Sequence, residues 1–257
     1  MTSENPDITL ILPAYNEAKT IANTIHDAMD YFGKLGMRWE IVVSADGTDG
    51  TREAAREVDS GGGAIRVIGG DARGGKGRGI RDGVEIANGG IIGFADADNK
   101  VPIAEFEKMR AALRDGCDIA IGSRGLRSSQ VERRQPWYRQ WGGKAFRVVM
   151  RKAVGLPTIT DTQCGFKFFR KEVAKDLFRR QRIDGYMFDV EILVLASRVG
   201  YRIQEVPVRW RDDGDSRLNL LTGNLRNAAD ILKIRHMHRN VRAEAARTGP
   251  RSVVDSG

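Results

Sequence analysis

The stretch "IIGFADADNK", Ile91 to Lys100, runs from a buried apolar strand into two carboxylates, Asp96 and Asp98, one residue apart. Two readings compete on spacing alone. Asp and Asn have short side chains that cap turns where strands stop. The same D-x-D spacing at a strand end also presents hard oxygen ligands to one divalent ion. The choice depends on whether other polar clusters gather at the same place.

Strands and helices alternate around this stretch. "ITLILPAYNE" predicts a strand from Ile8 to Leu12, ended by Pro13. Ile21, Ile25, Ala28, Met29 and Phe32 then recur at helical spacing, with Gly33 and Gly36 at the end. "WEIVVSA" is a second strand, and "DGTDGTREAAREV" turns into a helix with Thr48 or Asp49 as its cap. "AIRVIGG" is a third strand. "GGKGRGIRDGVEIANGG" is a glycine-rich loop entering a helix, "IAEFEKMRAALRDG" another helix, and "CDIAIGSR" a fifth strand. The strands are continuous apolar runs, as expected when both faces of a sheet are covered. The expectation is an α/β fold: a doubly wound, mostly parallel sheet with helices on both faces and right-handed crossovers. Such sheets bind ligands beyond the carboxyl ends of their strands. "PAYNE", "ADGTDGT", "ADAD" and "GSR" all follow strands, so they gather on that edge.

The second half reads differently. Arg124 to Arg151 is Arg-rich and interleaved with Trp137, Tyr138, Trp141 and Phe146. "GYMFDVEILVLASRVG" predicts a helix and "YRIQEVPVRW" a strand. Leu221, Leu225, Ala228 and Leu232 share one face of a basic, amphipathic helix. With neither a repeat nor a linker in view, residues 1–242 are expected to form a single domain and the polar residues 243–257 a disordered tail.

The chain has 257 residues, 41% of them hydrophobic, enough for a substantial core. Lys and Arg number 42 against 34 Asp and Glu, a net charge of +8 that favours an anionic partner. The two cysteines, Cys117 and Cys164, form neither a disulfide framework nor a zinc motif. "MTSENPD" lacks the regions of a signal peptide, and no run is long enough to span a bilayer. The expected location is the cytoplasm, with peripheral contact to anionic membrane through the basic helix. Interleaved Arg and aromatic residues also suit single-stranded nucleic acid; a solvated helix beside an acceptor groove is the favoured reading.

A divalent ion on Asp96 and Asp98, Mg2+ or Mn2+, would neutralise charge on a leaving diphosphate. Glu17 and Asp46 are placed to read a base or sugar edge, and Lys76 and Arg78 to meet phosphate. "GGKGRG" lacks the G-K-[ST] of a P-loop, and no G-x-G-x-x-G follows the first strand.

"PAYNE", "ADGTDGT", "GGKGRGIRDG", "FADADN", "GSR", "DTQCGFKFF" and "FDVEIL" occur in that order. Together they resemble the GT-A-fold family 2 glycosyltransferases, above all the dolichyl- or polyprenyl-phosphate glucosyltransferase and mannosyltransferase branch. The likeness spans about residues 8–217. It implies inverting transfer of a hexose or N-acetylhexosamine from a nucleotide sugar, UDP-linked by preference, to polyprenyl phosphate. By the same resemblance, Pro13, Ala14, Tyr15 and Glu17 form the first nucleotide-binding loop and Asp46 contacts the base. Asp96 and Asp98 are the metal motif, while Asp161 and Gln163 lie in the donor-sugar and acceptor region. Arg124, Arg133, Arg134 and Arg217 fall among the phosphate-binding cations. Two departures stand out. Ala45 occupies a position usually held by Asp or Asn, and the transmembrane helices common in relatives have no counterpart in this sequence.

Several residues keep a second reading. Asp161 either contacts substrate or caps its loop, and Asp46 either contacts nucleotide or closes an Asx-turn. Of Asp189 and Glu191, one is a candidate catalytic acid or base and the other a partner for an Arg; Asp161 and Asp189 are the catalytic candidates. Cys164 reads as a packed residue, and His26, His236 and His238 lie outside every motif. Two other functions compete with transfer to lipid phosphate. One is transfer to a soluble hydroxyl, which needs a base. The other is a degenerate module that binds nucleotide or nucleic acid.

Overall fold

The computed structural model describes residues 5–58, 60, 64–126, 128–131, 155–211, 230 and 233–241. Arg133, Arg134 and Arg217, the aromatic residues of the Arg-rich stretch, most of the Leu218–Met237 segment and the tail 243–257 lie outside them.

Seven strands form one sheet in the order β3-β2-β1-β4-β7-β5-β8. They are β1 (Ile8–Tyr15), β2 (Trp39–Asp46), β3 (Ala64–Ile68), β4 (Ile91–Ala95), β5 (Ile119–Ser123), β7 (Phe166–Arg170) and β8 (Ile203–Pro207). A short parallel pair, β6 (Gln130–Val131) with β9 (Arg209–Trp210), stands apart. All pairings in the large sheet are parallel except those of β7, which runs antiparallel between β4 and β5. The doubly wound, mostly parallel sheet expected from the sequence is present, and the carboxyl ends of β1, β2, β4 and β5 share one edge.

Each face of the sheet has its own core. On one, Leu10, Leu12 and Phe168 meet Ile21, Ile25 and Phe32 of α1 (Ile21–Lys34) and Met109 of α4 (Phe106–Arg114). On the other, Ile11, Phe94 and Phe169 meet three helices: α3 (Lys76–Ile86), α5 (Lys171–Arg180) and α6 (Phe188–Val199). Helix α6 is buried around nearly its whole circumference, as befits a core helix, and stops at Gly200 with φ 95°.

Three local expectations need correction. Pro13 does not end β1, which runs on to Tyr15. Pairing with β4 stops at Ile11↔Phe94, so at Pro13 the strand is paired on one side only, with Ser44 of β2, an edge-like position where proline is tolerated. The cap of α2 (Thr51–Arg56) is Gly50 at φ 91°, while Asp49 beside it accepts the Thr51 N–H at 3.1 Å. The strand expected over "YRIQEVPVRW" breaks at Val208 into β8 and β9, immediately after Pro207.

Strand β7, "FKFFR", escaped the sequence reading because nothing in its pattern marks an antiparallel insertion. Its register sets Gly93 opposite Phe168, and a Cβ on Gly93 would lie 2.1 Å from the Phe168 ring. Gly93→Ala is therefore expected to destabilise the fold by about 1–3 kcal/mol through overpacking. Urea unfolding checks this: the midpoint should fall with the slope unchanged.

Candidate active site

Four strand ends build the site. At the end of β1, the Glu17 N–H donates to Thr51 Oγ1 at 2.9 Å and the Ala18 N–H to Asp49 Oδ2 at 3.0 Å. These bonds tie the "PAYNE" loop to the turn after β2, with Ala14 nearly buried and Pro13 half-buried behind it. Tyr15 is exposed, with the Arg73 guanidinium 4.3 Å over its ring. Arg73 also donates to the Tyr186 hydroxyl at 3.2 Å, so it bridges two exposed tyrosines.

Asp46, at the end of β2, takes the Gly74 N–H at 2.7 Å and the Gly70 N–H at 3.4 Å. Its carboxylate thus anchors the glycine-rich loop. Glycine is obligatory there, since Gly75 has φ 107° and a Cβ on it would meet the Asp184 carbonyl at 2.4 Å. Ala45, one residue back, is fully buried and faces the core.

The loop delivers Lys76, first residue of α3, to Asp96: Nζ lies 2.5 Å from Oδ1. Asp98 pairs with Lys100 at 2.8 Å. The "ADADN" segment is itself a turn, since the Asn99 N–H donates to the Asp96 carbonyl at 3.2 Å and Asn99 has φ 53°. Turn and candidate ligand pair are therefore the same structure. Both carboxylates remain accessible, at 41% and 35% side-chain exposure. Gly165, immediately before β7, makes room for them: a Cβ there would stand 2.1 Å from Asp96 Oδ2.

Charges continue inward from Asp96. Asp189 on α6 lies 2.6 Å from Lys167 Nζ, and Lys167 also donates to the Cys164 carbonyl at 2.6 Å. Burial opposes the Lys76 charge, but Asp96 and Asp189 outweigh it and hold its pKa above the usual lysine value. Burial pushes the Asp189 carboxyl up, against the pull of Lys167 and Lys76.

The fourth strand end, β5, carries Arg124. Its guanidinium grips Asp161 through Nε at 2.7 Å and Nη2 at 2.9 Å, and its backbone N–H adds a third bond at 3.0 Å. The Gln163 N–H supplies a fourth at 3.2 Å. Two bonds fall on each oxygen, so the four acceptor positions of this carboxylate are filled. Burial would raise its pKa, but Arg124 outweighs burial and lowers it to about 2. Cys164 is a packed thiol, raised by burial to about 12.

A profile of the family described as Glycosyl transferase family 2 matches residues 9–178. The chain belongs to glycosyl transferase family 2. A dolichyl-phosphate beta-glucosyltransferase of Trichomonas vaginalis is 32% identical over 238 residues, covering 88% of this chain and 70% of that protein. The human dolichyl-phosphate beta-glucosyltransferase is 30% identical, covering 91% of this chain and 76% of its own length. Glucosyl-3-phosphoglycerate synthase of Mycobacterium tuberculosis, solved with Mn2+, uridine-diphosphate-glucose and phosphoglyceric acid, superposes with a TM-score of 0.65. At 19% identity over 89% of this chain and 79% of that one, it bears on the fold, which is that of GT-A glycosyltransferases.

Among the described residues no three His, Cys, Asp or Glu side chains gather as a ligand set. Asp96 and Asp98 are the carboxylates that could hold a divalent ion through hard oxygens. That suits Mg2+ or Mn2+, which keep waters and take further oxygens from a substrate phosphate. Lys76, Asp96 and Asp189 are brought together, and so are Arg124, Asp161 and Gln163; Arg217 lies outside the described residues. Sequence reading missed Lys167, Gly165 and Glu205, which accepts the N–H groups of Thr160 at 2.8 Å and Asp161 at 3.0 Å. It also paired Asp189 or Glu191 with an Arg. Asp189 instead meets Lys167, and Glu191 meets backbone N–H groups and His238. Only the position of Lys167 among phenylalanines hinted at a buried lysine.

A carboxyl lowered from 3.8 to about 2 contributes stability that is complete above the unfolded value and is lost as pH falls through the folded one. Wild-type stability should thus lose about 2 kcal/mol from this group as pH falls through that window. Asp161→Asn is expected to cost about 3 kcal/mol at neutral pH, because Arg124 is left without its counter-charge. Denaturation of both proteins from pH 5 to pH 2 checks the pair of claims: the gap between them should narrow in acid.

Proposed function

We propose that this family 2 glycosyltransferase moves a hexose or N-acetylhexosamine, with inversion, from a UDP-linked sugar to polyprenyl phosphate. The relatives named dolichyl-phosphate beta-glucosyltransferase support the acceptor class, since they match about nine-tenths of this chain. The observation that carries the chemistry is the state of the two candidate catalytic carboxylates. Asp161 has its acceptor positions filled by Arg124 and Gln163, and Asp189 is held by Lys167. Asp161, held low by Arg124, is not poised to take a proton, and Asp189, whose carboxyl burial raises, is engaged in the core by the Lys167 ammonium. A phosphate acceptor is already anionic near neutral pH and needs none, whereas a hydroxyl acceptor does.

In this reading the protein orients two anions and stabilises a leaving diphosphate. Tyr15, Glu17 and Asp46 border the nucleotide, with Pro13 and Ala14 behind them. Lys76 meets the diphosphate once it leaves Asp96. Asp161 and Arg124 are a fixed pair that shapes the sugar and acceptor side with Gln163. Asp96 and Asp98 would hold Mg2+ or Mn2+, which supplies positive charge to the departing nucleotide.

The test is transfer from UDP-glucose to a short polyprenyl phosphate with Mn2+. Asp98→Ala should lower turnover by on the order of 10²-fold or more. Normal turnover that still requires Mn2+ would move the metal elsewhere. Asp161→Asn and Asp189→Asn should keep the wild-type pH dependence; a lost acid limb in either would argue for a hydroxyl acceptor.

We also propose peripheral contact with anionic membrane. Among the described residues no helix is long and apolar enough to cross a bilayer. Residues 233–241 expose Lys233, Arg235, Met237 and Arg239 while burying Ile234 and His238. In vesicle flotation at low salt, the protein should rise with anionic vesicles and stay behind with neutral ones; equal recovery would remove the electrostatic claim.

A further inference from the structure

His238 sits in no motif, yet it is 4% exposed, and its Nε2 lies 2.6 Å from Glu191 Oε1. Glu191, on α6, is wholly buried. Its other bonds go to one turn: Oε1 accepts the Arg182 N–H and Oε2 the Ile183 N–H, both at 2.8 Å. With the proton on Nε2, the imidazole donates to the same carboxylate from behind. A buried carboxylate must have its acceptor positions met, and among the described residues His238 supplies the partner that comes from outside the turn.

That turn supports the glycine-rich loop. A Cβ on Gly75 would collide with the Asp184 carbonyl at 2.4 Å, and one on Gly77 with the Ile183 carbonyl at 2.6 Å. The Arg78 N–H donates to the Asp184 carbonyl at 3.2 Å, Arg81 pairs with Asp184 at 2.9 Å, and Arg73 reaches Tyr186 at 3.2 Å. Lys76 lies between these contacts. His238 is itself fixed by its own segment, because Ile234 enters the core cluster that holds Val190 and Leu193, and Val241 packs against it.

We infer that His238 is a positioning residue for the donor site: through Glu191 it fixes the 181–186 turn, on which the glycine-rich loop carrying Lys76 rests. The segment that seats His238 also exposes the basic side chains proposed to meet the membrane. Its docking is therefore linked to the placement of Lys76. The inference rests on reading the glycine-rich loop as part of the nucleotide-sugar site.

The test compares His238→Ala with His238→Gln, whose amide N–H reaches toward the place of Nε2. Calorimetric binding of UDP with Mn2+ and peptide-level hydrogen exchange are measured on each full-length protein. His238→Ala should weaken UDP binding about fivefold, the worth of one buried hydrogen bond. Exchange should speed up in peptides covering 181–187 and 73–80, while β1 and β2 keep wild-type protection. His238→Gln should recover most of both losses. Unchanged UDP affinity with unchanged exchange in those peptides would overturn the inference. So would equal faults in both variants with exchange raised across β1 and β2, which would make His238 a general stabiliser. If UDP fails to bind even the wild type, the donor assignment falls; the exchange pattern then decides the positioning role by itself.

Discussion

A lysine with no solvent exposure lies in the middle of the sheet, and much of the site is organised around it. Lys167 belongs to β7, the one strand that runs against its neighbours. An ammonium taken out of water persists only if paired and hydrogen-bonded. Asp189 and the Cys164 carbonyl meet that demand, with the Phe94 ring 5.5 Å away. Satisfying Lys167 thus fixes α6 against β7 and holds the Cys164–Gly165 backbone beside Asp96. On that face of the sheet the aromatic core of Phe94 and Phe169 carries one charge pair whose geometry is transmitted to the strand end.

From that pair outward the charges alternate: Lys167, Asp189, Lys76, Asp96. In low dielectric Lys76 steadies the carboxylates on either side of it, and Lys167 steadies Asp189. The arrangement bears on ligand exchange. Asp96 is held ready by a cation at the start of α3, just after the glycine-rich loop, not in the sheet. Under the proposed function Asp96 and Asp98 would hold a divalent ion that supplies positive charge, and Lys76 would keep Asp189 on one side with an anionic donor on the other.

The sheet was largely readable in the sequence because its parallel strands are continuous apolar runs punctuated by glycine and helical periodicity. The strand-end clusters followed from topology. What escaped reading was set by contacts distant in sequence. Nothing local in "FKFFR" says that it enters between β4 and β5. Pro13 looked like a terminator because its neighbours on the β4 side cannot be counted from sequence. Asp161 could not be separated into a substrate ligand or a loop cap because its partner, Arg124, is 37 residues away. Glu191 and His238 are 47 apart, and although Glu191 falls in "FDVEIL", nothing in that motif points to a histidine near the other end of the chain. Motifs were legible where one short segment holds the chemistry; supporting contacts were not.

The distribution of fixed and movable groups also suits the proposed chemistry. Asp161, Asp189 and Glu191 are buried carboxylates held by protein donors: Asp161 by Arg124 and Gln163, Asp189 by Lys167, and Glu191 by two backbone N–H groups and His238. Asp96, Asp98, Lys76 and Tyr15 are partly exposed and carried on loops or strand ends, and their present partners are Lys, Asp or Arg side chains. The proposed transfer between two anions would ask for positive charge that can be redeployed as the diphosphate departs, within walls that do not rearrange. Committing the inner carboxylates to the framework supplies the walls, and leaving the outer pair to exchangeable lysines supplies the charge. The same division explains why so many glycines border the site: at Gly75, Gly77 and Gly165 the walls close to contact distance, leaving no volume for a side chain.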